Sequence, residues 1–178
     1  VRVAGTTRQA DQPTIRELTI EGSSRSFDQV QCLGLSITEE DIEALCASLA
    51  KTAKDNAEDP AKVKTVTEKQ LLQWGVLAEQ DGRLVPTNAY AILTGNEAVR
   101  SVVQCGVFKG TTKAVFVDRR ESAGTPQELI EESYQYVLRN IHMGARFKGV
   151  YRQDVYEIPP DAIRELIVNA IVHRSYID

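Results

Sequence analysis

Three polar side chains near the C-terminal end of the sequence have the spacing and the chemistry of a ligand site. Glu165, Asn169 and His173 recur at i, i+4 and i+8 in a stretch that opens after Pro159 and Pro160. Proline suits the first turn of a helix, where its missing N–H costs nothing, so the stretch is predicted to be helical. The spacing then places a carboxylate, an amide and an imidazole in one row.

The apolar residues of the same stretch recur at helical spacing on a different arc. They are Ile163, Leu166, Ile167, Ala170 and Ile171. The polar row could therefore face one ligand, or its members could face one another. On spacing alone, the more common explanation is an ordinary amphipathic helix whose polar row is solvated, and both explanations stay open at this point.

This helix resembles the N-box helix of the GHKL ATPases, whose pattern E-x-x-x-N-A-x-x-H stands here as Glu165, Asn169, Ala170 and His173. The resemblance implies that Glu165 is the catalytic residue that orients or activates the attacking water. It also implies that Asn169 holds Mg²⁺ on the phosphates of ATP, and that His173 and Arg174 lie near those phosphates. Arg174 is one residue off the row, so its role rests on the resemblance alone.

Longer stretches of the sequence resemble one branch of bacterial regulators over essentially the whole chain. These stretches are LLQWGVL, PTNAYAILTG, QCGVFKG and RELIVNAIVHRSY. The branch combines a Schlafen-like AlbA DNA-binding domain, a middle segment and a divergent GHKL ATPase-like domain. Its members are often labelled transcriptional regulators or RecG-related ATP-dependent DNA helicases. The resemblance implies a central fragment of a cytoplasmic, ATP-binding regulator that contacts DNA, with ATP and Mg²⁺ as cofactors of the full-length protein.

The ATP site that this resemblance implies is incomplete in the 178 residues. GHKL proteins also carry a D-x-G-x-G adenine-binding motif and a glycine-rich lid, and neither occurs before Asp178. We therefore expect the fragment neither to bind ATP tightly nor to hydrolyse it, and whether the parent protein hydrolyses ATP stays open. A helicase motor needs a P-loop, and the sequence has no G-x-x-x-x-G-K-[ST] pattern.

The composition of the sequence restricts the kinds of partner and the cellular compartment that we expect for the protein. The net charge is −4 and the pI is about 5.3, so nucleic acid would have to be bound by a local patch. No apolar run approaches the ~20 residues that span a bilayer, and there is no signal-peptide pattern, which favours a cytoplasmic protein without a membrane partner. Cys32, Cys46 and Cys105 lack C-x-x-C spacing and are predicted to be reduced, partly buried thiols rather than zinc ligands.

The sequence is predicted to contain three segments. Residues 1–35 are interpreted as the exit strand and linker of a missing AlbA-like domain, and residues 36–96 as a small helical, winged-helix-like unit. Residues 97–178 are interpreted as the N-terminal part of a divergent GHKL-like domain. The predicted fold class is α+β, in which the winged-helix-like unit precedes the start of an α/β-sandwich domain of the Bergerat type.

Two parts of the chain are candidates for contact with nucleic acid. Thr6, Thr7 and Arg8 form a polar loop that could touch phosphates, although such a composition more often marks a turn after a strand. The winged-helix-like unit is disfavoured as a DNA reader, because Lys69 is the one cation in its candidate recognition helix. A spacer is the better interpretation of that unit.

The pattern of the last segment alternates strands and helices. It predicts strands at 101–107, 114–117, 147–151 and 153–158, and a long helix from Gln127 to about Met143. His142 is interpreted as a partner of the dipole at the C-terminus of that helix. Two alternatives to an ATP-binding regulator are a non-enzymatic nucleic-acid-binding module and an oligomerisation module whose open sheet edges pair with another copy.

Overall fold

The computed structural model describes the main chain of residues 2–3, 6–7, 9–22, 26–111, 114–148 and 151–176. Its helices and small antiparallel sheets make an α+β fold, which confirms the predicted class. The chain forms two compact units. Unit 1 comprises Val1–Val99 with Ser175–Asp178, and unit 2 comprises Arg100–Arg174. The winged-helix and Bergerat-type identities stay predictions.

The described part of unit 1 contains four α-helices, two hairpins and two short 3-10 helices, Phe27–Gln29 and Pro60–Lys62. The α-helices are α1 (Gln12–Gly22), α2 (Glu39–Asp55), α3 (Glu68–Gln73) and α4 (Asn88–Thr94). The hairpins pair β1 (Arg2–Val3) with β2 (Thr6–Thr7) and β3 (Leu77–Gln80) with β4 (Arg83–Pro86).

Helix α2 begins in a capping box: the Thr38 hydroxyl accepts from the Asp41 amide at 3.2 Å, and the Asp41 carboxylate accepts from the Thr38 amide at 2.8 Å. The amide and then the hydroxyl of Thr38 hold the pKa of Asp41 below its usual value.

The turn between β3 and β4 is built from an Asp-Gly pair. Asp81 has φ 52° and Gly82 has φ 71°, so both residues are left-handed. Left-handed geometry at both central positions is the type I′ turn, whose twist matches that of the two strands. The hairpin that the Asp-Gly pair predicts is therefore confirmed.

Two clusters of buried side chains hold unit 1 together. The first cluster consists of Ile42, Leu45, Leu71, Val76, Leu77 and Tyr90. The second consists of Cys32, Ala91 and Val99, with the partly buried rings of Phe27 and Tyr176 packed against it. Burial raises the pKa of the Cys32 thiol. Cys46 and Cys105 are half-buried thiols, so the burial predicted for the three cysteines is confirmed.

Two polar side chains at the start of α4 fix the hairpin and the preceding loop. The Thr87 side chain is buried, and its hydroxyl lies 2.7 Å from the Gly75 carbonyl oxygen and 2.8 Å from that of Val76. The Asn88 amide donates to the carbonyl oxygen of Phe27 at 2.9 Å. The Thr87 hydroxyl supplies the hydrogen bond of the Gly75 carbonyl oxygen, and the other two bonds add to main-chain bonds that the Val76 and Phe27 oxygens already accept.

The described part of unit 2 contains two hairpins and two helices in alternation. The elements are β5 (Val102–Phe108), β6 (Phe116–Ala123), α5 (Pro126–Asn140), β7 (Met143–Lys148), β8 (Tyr151–Tyr156) and α6 (Pro160–Val172). Each hairpin is a two-stranded antiparallel sheet among these residues. Helix α5 begins with a proline in its first turn and with a capping box between Thr125 and Glu128, as its sequence favours.

Helix α5 packs on one face of the β5–β6 hairpin. The Glu132 carboxylate of α5 accepts hydrogen bonds from Arg120, at 3.3 Å, and from the Ser122 hydroxyl. Both partners belong to β6. Their side chains project from the same face of the hairpin as those of the β5 residues paired with them. The half-buried residues of β5 on this face are Val103, Cys105 and Val107.

Helix α5 ends three residues before the predicted boundary. The Asn140 amide folds back onto the carbonyl oxygen of Tyr136 at 2.9 Å, and Ile141 is already extended with φ −86° and ψ 153°. Strand β7 therefore begins at Met143 and not at residue 147. The predicted ends of this helix and of the two strands after it were wrong, because pairing with β8 recruits residues that also fit a helical pattern.

His142 is part of the β7–β8 hairpin and not of a helix end. Its carbonyl oxygen accepts from the Glu157 amide at 3.1 Å, and its own amide donates to the Glu157 carboxylate at 3.3 Å. The first bond extends the main-chain pairing by one residue pair beyond the strands, whereas the second goes to a side chain. The prediction that His142 interacts with a helix dipole was wrong, since helix α5 has ended before it.

Candidate functional site

Helix α6 is anchored on a narrower apolar arc than the sequence predicts. Ile163 and Ile171 are buried, and Ile167 is half-buried. Leu166 is 67% exposed, and Ala170 is exposed as well. The five apolar residues that share an arc by spacing therefore differ in burial, and these two lie outside the contact. Residues three or four positions apart on a helix lie near one face but at different angles around the axis. The neighbours of α6 cover only one side of that face, so Leu166 and Ala170 stay exposed.

The polar row of α6 lies on the exposed side of the helix. Glu165, Asn169 and His173 are all exposed, and the Asn169 amide donates to the Glu165 carboxylate across 3.4 Å. An equivalent pair on α5, Gln135 donating to Glu131, is separated by 2.9 Å. The contact in α6 is thus the longer and weaker of the two. Both groups keep hydrogen-bonding capacity for a ligand.

The packing of α6 on α5 orients this row. The Arg164 guanidinium lies 3.3 Å from the Glu131 carboxylate and 5.4 Å from the centre of the Tyr134 ring. The hydrogen bond from Gln135, and secondly Arg164, lower the pKa of Glu131. Arg164 precedes Glu165 in the chain. Its contacts with Glu131 and Tyr134 therefore fix a face of α6 other than the one that carries the polar row.

The two predicted phosphate-facing residues have different positions. His173 is the last residue of the helix turn, and its amide donates to the Asn169 carbonyl oxygen at 3.0 Å. Its side chain continues the exposed row. The Arg174 guanidinium instead donates to the carbonyl oxygen of Val102, at the start of β5, at 2.7 Å. The structure therefore brings Glu165, Asn169 and His173 together and uses Arg174 to hold α6 to the hairpin.

The predicted nucleic-acid loop belongs to unit 1. Thr6 and Thr7 form strand β2, which pairs with β1 through the contacts Arg2 with Thr7 and Val3 with Thr6. The prediction that Thr6 and Thr7 lie in a loop after a strand was wrong, because they form a second strand that pairs with β1. Arg8 lies outside the described residues. The phosphate-contact role of these three residues stays a prediction.

The oxygen atoms of the row could bind a hard cation such as Mg²⁺ only if a ligand supplied further oxygen atoms. A carboxylate and an amide oxygen are the kind of donors that Mg²⁺ takes, and Mg²⁺ commonly has one or two protein ligands, with phosphates and water completing its shell. Among the described residues, no three His, Cys, Asp or Glu side chains converge as a metal site. A carboxylate and an amide alone leave most of the Mg²⁺ shell to water or to oxygens of another molecule, so Mg²⁺ held by Asn169 stays a prediction.

Sequence reasoning missed the contacts that position the row. Arg164 and Glu131 are 33 residues apart, and no motif or period connects them. A buried polar layer under α5 was missed too. The hydroxyls of Ser133 and Tyr136 are buried without a hydrogen-bond partner among the described residues. Burial, followed by the nearby Asp118 carboxylate, raises the pKa of Tyr136.

Comparisons with known proteins show a shared fold and no family. No protein-family model matches the chain, and no curated protein matches it significantly. A crystal structure of the DIP2311 protein from Corynebacterium diphtheriae superposes with a TM-score of 0.55 at 21% identity, over 99% of this chain and 34% of that one. This chain thus spans about a third of the length of that protein. The likeness shows the fold alone.

The described helices also bear on a membrane partner. None of them is both long enough and apolar enough to cross a bilayer.

Proposed function

We propose that this chain is part of a cytoplasmic bacterial regulator that binds ATP with Mg²⁺ through helix α6. The observation that carries the proposal is the exposed row of Glu165, Asn169 and His173 on a helix whose other side is anchored. Exposed side chains that make few contacts of their own can meet a ligand. Here the contact between Glu165 and Asn169 is long, at 3.4 Å. The resemblance to the N-box helix supplies the assignment of ATP.

Each residue of the row would have a role in ATP binding or hydrolysis that follows from its chemistry. The Asn169 amide oxygen would hold Mg²⁺, which neutralises the charge on the phosphates of the nucleotide. The Glu165 carboxylate would orient an attacking water and accept its proton. His173 would donate a hydrogen bond to a phosphate. Arg164, through Glu131 and Tyr134, positions the helix and does not itself touch the nucleotide.

The other parts of the proposal concern the whole protein. We expect an AlbA-like domain, which would supply DNA binding, and a winged-helix-like unit 1, which would serve as a spacer. The D-x-G-x-G motif is not among these 178 residues, so we expect weak ATP binding by the chain alone. Neither a P-loop nor other helicase machinery supports the RecG-related label, and we propose a regulator rather than a motor.

The test is ATP binding and turnover by the full-length protein that contains this chain. Asn169→Ala should weaken Mg·ATP binding by about tenfold or more, which corresponds to about 1.4 kcal/mol. Glu165→Gln should leave binding nearly unchanged and abolish any hydrolysis, since the water would lose its base. If both variants bind and hydrolyse ATP like the unaltered protein, the row is structural.

A matched control is available on the neighbouring helix. Gln135→Ala removes an amide from the same i, i+4 arrangement with a glutamate, on α5 instead of α6. Gln135 bonds Oε1 of Glu131 whereas Arg164 contacts Oε2, so the contact that orients α6 is retained, and the variant should change neither ATP binding nor hydrolysis. A loss of binding in this variant as well would indicate that unit 2 responds to any change in helix polarity, and the assignment of Asn169 would fail.

A further inference from the structure

The β5–β6 hairpin has a second face that α5 does not cover. We call it the open face and define it by Gln104, Gly106, Phe108, Phe116, Arg119 and Glu121. Strand pairing joins Gly106 with Arg119 and Gln104 with Glu121, so these pairs project to the same side. Gln104, Gly106, Arg119 and Glu121 are exposed, and Phe116 is 54% exposed. This face therefore presents an aromatic group and charged groups to solvent together.

Gly106 makes room for the aromatic part of the open face. A β-carbon at this position would lie 3.1 Å from Cε1 and 3.4 Å from Cδ1 of the Phe116 ring, so the ring occupies the space above the glycine. The Phe108 ring is its neighbour, with centroids 4.5 Å apart and planes inclined by 42°. The two rings form a small aromatic platform on the hairpin, and part of it is exposed to solvent.

Two guanidinium groups approach the Glu121 carboxylate of the open face, and one of them is next to the platform. Arg119 is the cross-strand partner of Gly106, directly beside the Phe116 ring. The Glu121 carboxylate lies 3.7 Å from Arg119 and 3.7 Å from Arg100, and the Gln104 amide donates to it at 2.8 Å. One carboxylate thus lies near two cations, and one positive charge remains in excess. Arg100 stays 79% exposed, and Arg119 stays 56% exposed.

We propose that the open face binds single-stranded nucleic acid, with a base stacked on Phe116 and phosphates paired to Arg119 and Arg100. An exposed aromatic platform on a sheet, bordered by guanidinium groups, is the arrangement that binds unpaired bases, because every base has a flat face to stack. Duplex DNA would not use it, since its bases are already stacked. The acidic chain as a whole gives no general attraction, so binding must come from such a local patch.

A second copy of the chain fits this face less well. The centre of a protein–protein interface is depleted of charged residues, whereas Arg119 and Glu121 lie in the middle of the open face. The excess positive charge would also repel an identical face. The inference goes beyond the proposed ATP site and does not depend on it, because none of its residues belongs to α6.

The experiment measures fluorescence anisotropy of a labelled oligothymidine of about ten nucleotides, titrated with the 178-residue protein at low salt. The matching RNA and the matching duplex are the other two probes. Phe116→Ala should weaken single-strand binding by about tenfold, and Phe116→Tyr should restore it because the ring is retained. Arg119→Glu should weaken binding and flatten its dependence on salt. RNA bound more tightly than DNA would identify RNA as the class that is recognised.

Two control variants match the altered residues. Trp74→Ala removes an aromatic ring of equal exposure, 53%, from unit 1. Arg83→Glu reverses an exposed charge in the same unit. Both should bind the oligonucleotide like the unaltered protein. The proposal is overturned if Phe116→Ala binds as tightly as the unaltered protein or if the duplex binds equally well. It is also overturned if Phe116→Ala changes only self-association in sedimentation, which would make a second copy the occupant.

Discussion

The buried hydroxyl of Thr87 should contribute measurably to the stability of unit 1. Thr87→Val keeps the shape of the side chain and removes its donor. The Val76 carbonyl oxygen would still accept from the residue 87 amide at 3.2 Å, but the Gly75 carbonyl oxygen would lose its 2.7 Å bond. Leaving one acceptor without a partner costs about 1–3 kcal/mol. Because Gly75 is half-buried and water can reach part of it, we expect about 1–2 kcal/mol.

The chain offers both a probe and a control for this measurement. Trp74 is the one tryptophan and precedes Gly75, so its fluorescence during urea unfolding reports on unit 1. Thr94→Val is the matched control: its hydroxyl also donates to a carbonyl oxygen, that of Tyr90, at 2.8 Å, but the residue is exposed. The control should change the free energy of unfolding by less than about 0.5 kcal/mol. Equal stability of the two valine variants would refute the reasoning.

Two further predictions concern unit 2. Hydrogen bonds from the amide and then the hydroxyl of Thr125 lower the pKa of Glu128, so this carboxylate stabilises the fold above its unfolded pKa of about 4.3 and loses that effect as the pH falls through the lower folded value. Glu128→Gln should reduce the acid-induced loss of stability in urea titrations over this range, and an unchanged pH profile would contradict the capping role. Tyr136→Phe removes a buried hydroxyl that has no partner within hydrogen-bond distance among the described residues, where the nearby Asp118 carboxylate is the acceptor that would have to approach it. Thermal unfolding should show this variant to be as stable as the unaltered protein or slightly more so, whereas a loss above about 1 kcal/mol would reveal a partner for the hydroxyl.

Local signals in the sequence were sufficient for the elements they directly control. Ser36 or Thr38, ahead of three carboxylates, predicts the start of α2, and the capping box shows that Thr38 is the cap. Asp81 and Gly82 predict the β3–β4 turn, and their left-handed φ angles show why. Gly95, with φ 66°, ends α4 where the sequence indicates. In each case the interaction spans only a few residues, so it can be recognised without the rest of the fold.

Features that depend on distant partners could not be predicted in the same way. The end of α5 fits a helical pattern, and only pairing of β7 with β8 decides that the helix stops at Asn140. Leu166 fits the apolar period of α6, yet the packing leaves it exposed. The row of Glu165 and Asn169 was found from spacing. Arg164 was not, because its contact with Glu131 joins residues that no sequence period relates.

The measurement that tests the central claim most directly is the Mg²⁺ dependence of ATP binding by the full-length protein. If Asn169 holds the cation, removal of Mg²⁺ by a chelator should weaken ATP binding to the unaltered protein by about tenfold or more, or about 1.4 kcal/mol. The Asn169→Ala variant should bind weakly in both conditions, with little response to Mg²⁺. A variant that retains the full response to Mg²⁺ would contradict the account, because the cation would then be held by other residues.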